Sequence, residues 1–165
     1  MNYTGLQRYH INGQDAVLEA KLLECFKRFC YKSPPLSCLK GKTPHTTDCL
    51  ISDYFEENFR GNLCFYAGDV KGFAVFGNGQ KWLDEPIQEF SGQKVAVLIM
   101  GATHNNSLAE AKFALKLLSE SFRRLKETLK YDVVAWNQNR EHKKKGFEKM
   151  MKLLGAKKIK NCYYV

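Results

Sequence analysis

The 165-residue sequence predicts a single α/β domain spanning residues 1–165, in which a mixed, twisted sheet carries helices on both faces. Three observations point there. The run Val95 to Met100 in "KVAVLIMG" has no polar residue, which suits a central strand buried on both faces. A long helical pattern from Ser107 to Lys130 and a second strand pattern, "YDVVAWN" (131–137), follow it, so this stretch reads as a right-handed parallel crossover. Upstream, two β-rich runs in "NLCFYAGDVKGFAVFGNG" (62–79) flank a tight turn at Gly68 to Lys71, the pattern of an antiparallel hairpin.

The remaining elements follow in order. "QRYHI" (7–11) alternates and meets Asn12-Gly13, which suits a short strand and a turn. From Asp15 to Tyr31, Val17, Leu18, Leu22, Cys25, Phe26 and Phe29 recur at helical spacing, with Asp15 placed to cap the first turn. "KSPPLSCLKGK" (32–42) breaks that helix. Thr47 or Asp48 then caps a second helix with Leu50, Ile51, Tyr54, Phe55 and Phe59 on one stripe, ending before Gly61. "QKWLDEPIQEFSG" (80–92) is a connector that Pro86 keeps out of a central strand. The long helix places Leu108, Ala111, Leu115, Leu118, Phe122, Leu125 and Leu129 on one stripe. "EHKKKGFEKMMKLL" (141–154) is a further helix with Phe147, Met150, Met151 and Leu154 inward and Gly155 at its C-terminal cap. "AKKIKNCYYV" closes the chain as one strand.

Lys plus Arg exceed Asp plus Glu by 26 to 17, and between Lys130 and Val165 there are ten basic residues against three acidic ones. Such a face attracts phosphate or an acidic protein, or is simply solvated. No apolar stretch approaches a membrane span, and no secretory leader pattern precedes the first periodic segment, so the expectation is a soluble cytoplasmic protein. Cys25, Cys30, Cys38, Cys49, Cys64 and Cys162 are then expected as free thiols. No pair of them has zinc-knuckle spacing, although four lie near His45, and no metal site is expected. Aromatic residues do not interleave with basic ones in an RNP-like pattern.

The order of elements, and in particular "LKETLKYDVVAWNQNREHKKKGFEKMMKLLGAKKI" (125–159), resembles the GNAT superfamily of acyl-CoA N-acyltransferases. There a strand ending in Asn leads to a helix that ends in Leu-Gly, as in that family's "N...LYEKLGF" region. The stretch is also similar to small phage-encoded GNAT-like proteins, which would place the chain in a host cytoplasm. The resemblance implies acetyl transfer from acetyl-CoA to an amine on a small molecule or protein. It implies that the cofactor lies between the strands ending at Met100 and Asn137, with its pyrophosphate at the elbow "MGATHNNSLAEA" (100–111). Unpaired amides and the positive helix end favour anions at such an elbow. Ile99, Gly101, Thr103, Asn105, Asn106, Ser107, Asn137 and Asn139 are the cofactor-binding candidates so implied. For Asn137 and Asn139 the alternative is a cap on the helix that follows.

Two departures from the family pattern open a second reading. The usual Gly-rich loop is replaced by Ala102 to Asn106, and Ser107 with Glu110 forms a capping box that closes the helix end on itself. The family's Tyr, four residues before the Gly of the last helix, aligns with Met151, which donates no proton. His104 and Tyr163 are the proton-transfer candidates taken in its place, with His142, Tyr164 and Cys162 nearby. The alternative function is a GNAT scaffold without catalysis that uses Lys143, Lys144, Lys145, Lys149 and Lys152 to bind nucleic acid or an acidic host protein.

Overall fold

A computed structural model describes residues 5–32, 37–103, 108–138 and 144–165. Its sheet has seven strands: β1 (Leu6–His10), β2 (Leu63–Ala67), β3 (Gly72–Asn78), β4 (Val95–Thr103), β5 (Val133–Asn137), β6 (Lys157–Ile159) and β7 (Cys162–Tyr164). They lie in the order β1-β2-β3-β4-β5-β7-β6. Among the described residues only the β4–β5 pair is parallel, and the crossover between them is helix α3 (Leu108–Glu127). The mixed α/β architecture expected from the sequence is the one observed. Helices α1 (Ala16–Lys32) and α2 (Pro44–Tyr54) cover one face of β1 to β4, while α3 and α4 (Lys144–Leu153) pack on the other.

Local chemistry explains most boundaries. The Asp15 carboxylate accepts from the Leu18 amide at 3.0 Å and starts α1. Gly155, at φ 71°, ends α4: its amide donates to Lys152 O and that of Ala156 to Met151 O, the paired bonds of a Schellman cap. Four expectations are corrected. The cap of α2 is Thr43, whose hydroxyl accepts from the Thr46 amide with Pro44 following, and not Thr47 or Asp48. Thr47 is buried instead, and the helix runs on as a π-helical turn, Phe55–Phe59. The last ten residues form a hairpin rather than one strand, because Lys160 takes φ 51° and reverses the chain.

The buried stripe of α3 is rotated from the expected one. Glu110, Phe113, Leu117, Leu118, Ser121, Phe122 and Leu125 face the sheet, while Ala111 is exposed. Ser121 tolerates full burial because its hydroxyl donates to Leu117 O at 2.7 Å. Finally, β4 is buried on both faces only over Val95, Ala96 and Val97; Leu98, Ile99, Gly101 and Thr103 are half-exposed.

The connector between β3 and β4 seals the remaining part of the α1 face. Leu83, Ile87 and Phe90 pack there against Val95, Val97, Val133, Ala135 and Cys162. Trp82 lies directly over Gly77: a Cβ at Gly77 would stand 2.4 to 2.6 Å from the indole. Gly77→Ala is therefore expected to displace Trp82 and cost about 1–3 kcal/mol in urea unfolding. Gly101→Ala, where a Cβ meets nothing closer than Leu118 Cδ2 at 3.9 Å, is the matched control and should stay within about 0.5 kcal/mol of the parent.

Candidate functional site

The parallel pair β4–β5 is held over only three positions, Val95 to Val97 against Val133 to Ala135. Beyond them β4 continues to Thr103 and β5 to Asn137, and no strand among the described residues bridges the two. The cause lies on the opposite edge of β4. In the β3–β4 ladder Val75 pairs with Met100 and the next residue, Phe76, pairs with Leu98, so Ile99 is an extra residue, a β-bulge. Ile99 and Met100 consequently both pack toward the α1 face. A bulge bends its strand and increases its twist, and here the bend falls where β4 leaves β5. The result is a wedge-shaped opening at the C-terminal end of the parallel strands, the end at which ligand crevices of α/β sheets form.

The sequence candidates distribute unevenly around this wedge. Ile99, Gly101 and Thr103 lie along the β4 side. Asn137 ends the β5 side, but its amide is turned to the connector: Oδ1 accepts from the Asp84 amide at 2.8 Å and Nδ2 donates to Trp82 O at 3.1 Å. Through these two bonds the side chain latches the connector to β5. Tyr163 lies in β7 opposite Trp136, half-buried on the α3/α4 face, with its ring stacked on the indole at 6.0 Å. Met151 is buried in the same cluster. His104, Asn105, Asn106, Ser107, Asn139, His142 and Lys143 fall outside the described residues, as do the side chains of Lys144, Lys145 and Phe147. Lys149 and Lys152 are exposed on α4.

Neither wedge strand brings a titratable side chain: β4 is VAVLIMGAT and β5 is VVAWN. The buried thiols are no substitute as nucleophiles. Burial pushes Cys25 and Cys30 up to about 12, and burial likewise raises Cys64 and Cys162, so all four stay protonated at neutral pH. A groove of about 570 Å³ lies at the same end of the sheet beside the β2–β3 turn, between Val17 and Val70, and the Lys21–Asp69 ion pair (2.7 Å) lines it.

A charged cluster fixes α1 against the edge strand β1. Glu19, buried, accepts from Tyr9 Oη at 2.6 Å and the Gly13 amide at 2.7 Å, and pairs with Arg60 at 2.9 Å. Desolvation pushes the Glu19 carboxyl up, but those three donors outweigh it and hold the group below its ordinary value of 4.5. A depressed carboxyl contributes stability above its unfolded value and loses it as pH falls through the folded one. Stability in urea is thus expected to decline below about pH 4.5. Arg60→Gln should cost about 2 kcal/mol at pH 7 and make the acid decline shallower, both measurable by urea midpoints at pH 7 and pH 3.

With this geometry in hand, comparison with solved structures is informative. The chain is similar to a protein described as a probable acetyltransferase, at 12% identity and TM-score 0.59, covering 95% of this chain and 92% of that one. It is similar to a GNAT-family acetyltransferase from Bacillus anthracis, at 10% identity and TM-score 0.55, covering 99% and 98%. It is also similar to the ribosomal-protein-S5-alanine acetyltransferase from Vibrio fischeri, at 11% identity and TM-score 0.52, covering 96% and 82%. No protein-family model matches the sequence, and no curated protein matches it. The chain has the GNAT acyl-CoA N-acyltransferase fold.

Proposed function

We propose that the chain is an acyl-CoA-dependent N-acyltransferase that moves acetyl from acetyl-CoA to an amine on a small molecule or protein. The observation that carries this reading is the wedge opened by the Ile99 bulge between β4 and β5. Past Val97 the β4–β5 ladder does not continue among the described residues, so β4 and β5 are no longer held edge to edge there. An extended ligand arm bearing amides can add to such an edge as a strand does. Gly101 suits that fit, being half-buried with only distant contacts around its Cβ position. The residues present therefore fit a pantetheine arm, held by the backbone of Ile99, Gly101 and Thr103 and bounded by Asn137. Asn105, Asn106, Ser107 and Asn139 are proposed to complete the pyrophosphate and pantetheine contacts.

Acetyl-CoA, when bound, supplies an activated acetyl thioester. The chain's own work is to orient that group, exclude water and move two protons. Because β4 and β5 hold no acid or base, the proton from the acceptor ammonium is assigned to His104, next in sequence after Thr103. The proton returned to the departing thiolate is assigned to Tyr163. The test is a calorimetric titration with acetyl-CoA, followed by mass spectrometry of a panel of amines incubated with both. At a hundred times its dissociation constant the cofactor adds about 2.7 kcal/mol, roughly 5–10 °C in midpoint for a chain of this size. The absence of both heat and a shift in midpoint would end this reading.

One observation favours a second reading. Met151 is buried where the family resemblance expects a proton-donating Tyr, while Lys149, Lys152, Lys157, Lys158 and Lys160 are exposed along α4 and the β6 edge. On this reading the scaffold is non-catalytic, and Lys143, Lys144, Lys145, Lys149 and Lys152 bind nucleic acid or an acidic protein in the cytoplasm. Duplex DNA binding should then weaken with a log–log salt slope of about −0.9 per phosphate neutralised. Binding that ignores salt would rule it out. No helix among the described residues is long and apolar enough to cross a membrane.

A further inference from the structure

Trp136 is the first residue of β5 beyond Ala135, the last position paired with β4. It is 5% exposed, and its ring is stacked on Phe122 (5.3 Å between centroids, 22° between planes) and on Tyr163 (6.0 Å, 19°). Packing is thus complete, but hydrogen bonding is not: Nε1 is buried and has no acceptor among the described residues. A buried indole N–H is ordinarily paired, and leaving one unpaired carries the desolvation cost of the donor. The residue that carries it stands at the fork where the two strands part. Across the fork Leu98, half-buried, packs against the same cluster, as does Met150.

We infer that the Trp136 indole N–H is a binding donor for a carbonyl oxygen of the acyl-pantetheine arm, an amide or the thioester. This rests on the acyl-CoA reading above. Bound at the fork, the arm brings the acceptor that the indole lacks. The residue touches the cofactor arm without transferring a proton, because an indole donates a hydrogen bond and stays an indole. Trp82 provides a natural comparison, since it lies over Gly77 and packs with the connector on the opposite face of the sheet.

The experiment follows the Trp136 indole N–H resonance of nitrogen-15-labelled protein during titration with acetyl-CoA, with CoA, and with adenosine 3′,5′-bisphosphate, which lacks the arm. Dissociation constants of W136F for the three probes are measured in parallel. The expected result is a downfield shift of the Trp136 signal with the arm-bearing probes only, a steady Trp82 signal, and about tenfold weaker acetyl-CoA binding in W136F. Bisphosphate affinity should not change. Weakening of acetyl-CoA alone assigns the thioester carbonyl; weakening of CoA as well assigns a pantetheine amide. An unmoved Trp136 signal while the wild type binds acetyl-CoA overturns this inference alone. Absence of any acetyl-CoA binding by the wild type overturns the acyl-CoA reading with it. Should W136F fail to fold, the wild-type resonance decides.

Discussion

Phe59→Ala is expected to lower unfolding free energy by about 3–5 kcal/mol, read from a urea midpoint with an unchanged slope. Phe59 closes the π-helical turn after α2 and is fully buried. Four aromatic rings surround it: Phe26 at 4.9 Å between centroids, Phe55 at 5.3 Å, Tyr54 at 5.7 Å and Phe73 at 5.9 Å. These come from α1, α2 and its extension, and β3, so the cavity left by alanine opens where these elements meet and none can collapse alone. A loss of that size is about a fifth or more of the stability of an ordinary domain. Val17→Ala, at a site 69% exposed, should change the midpoint little and is the control.

The second large effect concerns binding. Deleting Ile99 is expected to weaken acetyl-CoA binding by at least roughly a hundredfold, about 2.7 kcal/mol, in a protein that still folds. The reasoning follows the ladder. With Ile99 removed, Leu98 remains opposite Phe76 and Met100 remains opposite Val75, now as consecutive residues. Every side chain beyond keeps its face, so the core is preserved apart from the half-buried Ile99 itself. What disappears is the bend. A straightened β4 can extend its parallel pairing past Val97, bringing Leu98 alongside Trp136 and closing the wedge. Calorimetry on the deletion variant, with circular dichroism to verify folding, measures this. Binding at wild-type strength would separate the bulge from the site.

Which features were legible in the sequence depends on how far each signal reaches. The Asp15 cap, the Gly155 cap and the β2–β3 hairpin each rest on residues within five positions of one another, and each is found where the sequence places it. The bulge was not legible. The unbroken apolar run Val95 to Met100 announces a buried strand, but an extra residue in such a run leaves no break in polarity to mark it. The terminal hairpin was missed for a related reason: its reversal is made by Lys160 at positive φ, a residue that carries no turn chemistry. The bonds of Asn137 to the connector have no local signal, because its partners, Trp82 and Asp84, lie more than fifty positions away. Glu110, expected at the helix end as half of a capping box, is buried, and Ser107 lies outside the described residues.

The account rests on the wedge between β4 and β5 being the acyl-CoA site. Hydrogen exchange of the backbone amides from Leu98 to Thr103, with and without saturating acetyl-CoA, tests that most directly. The predicted result is slowed exchange of the amides in this segment that face β5, with those of Val95 to Val97, already within the β4–β5 ladder, unchanged. Acetyl-CoA that binds while leaving Leu98 to Thr103 unprotected would contradict it.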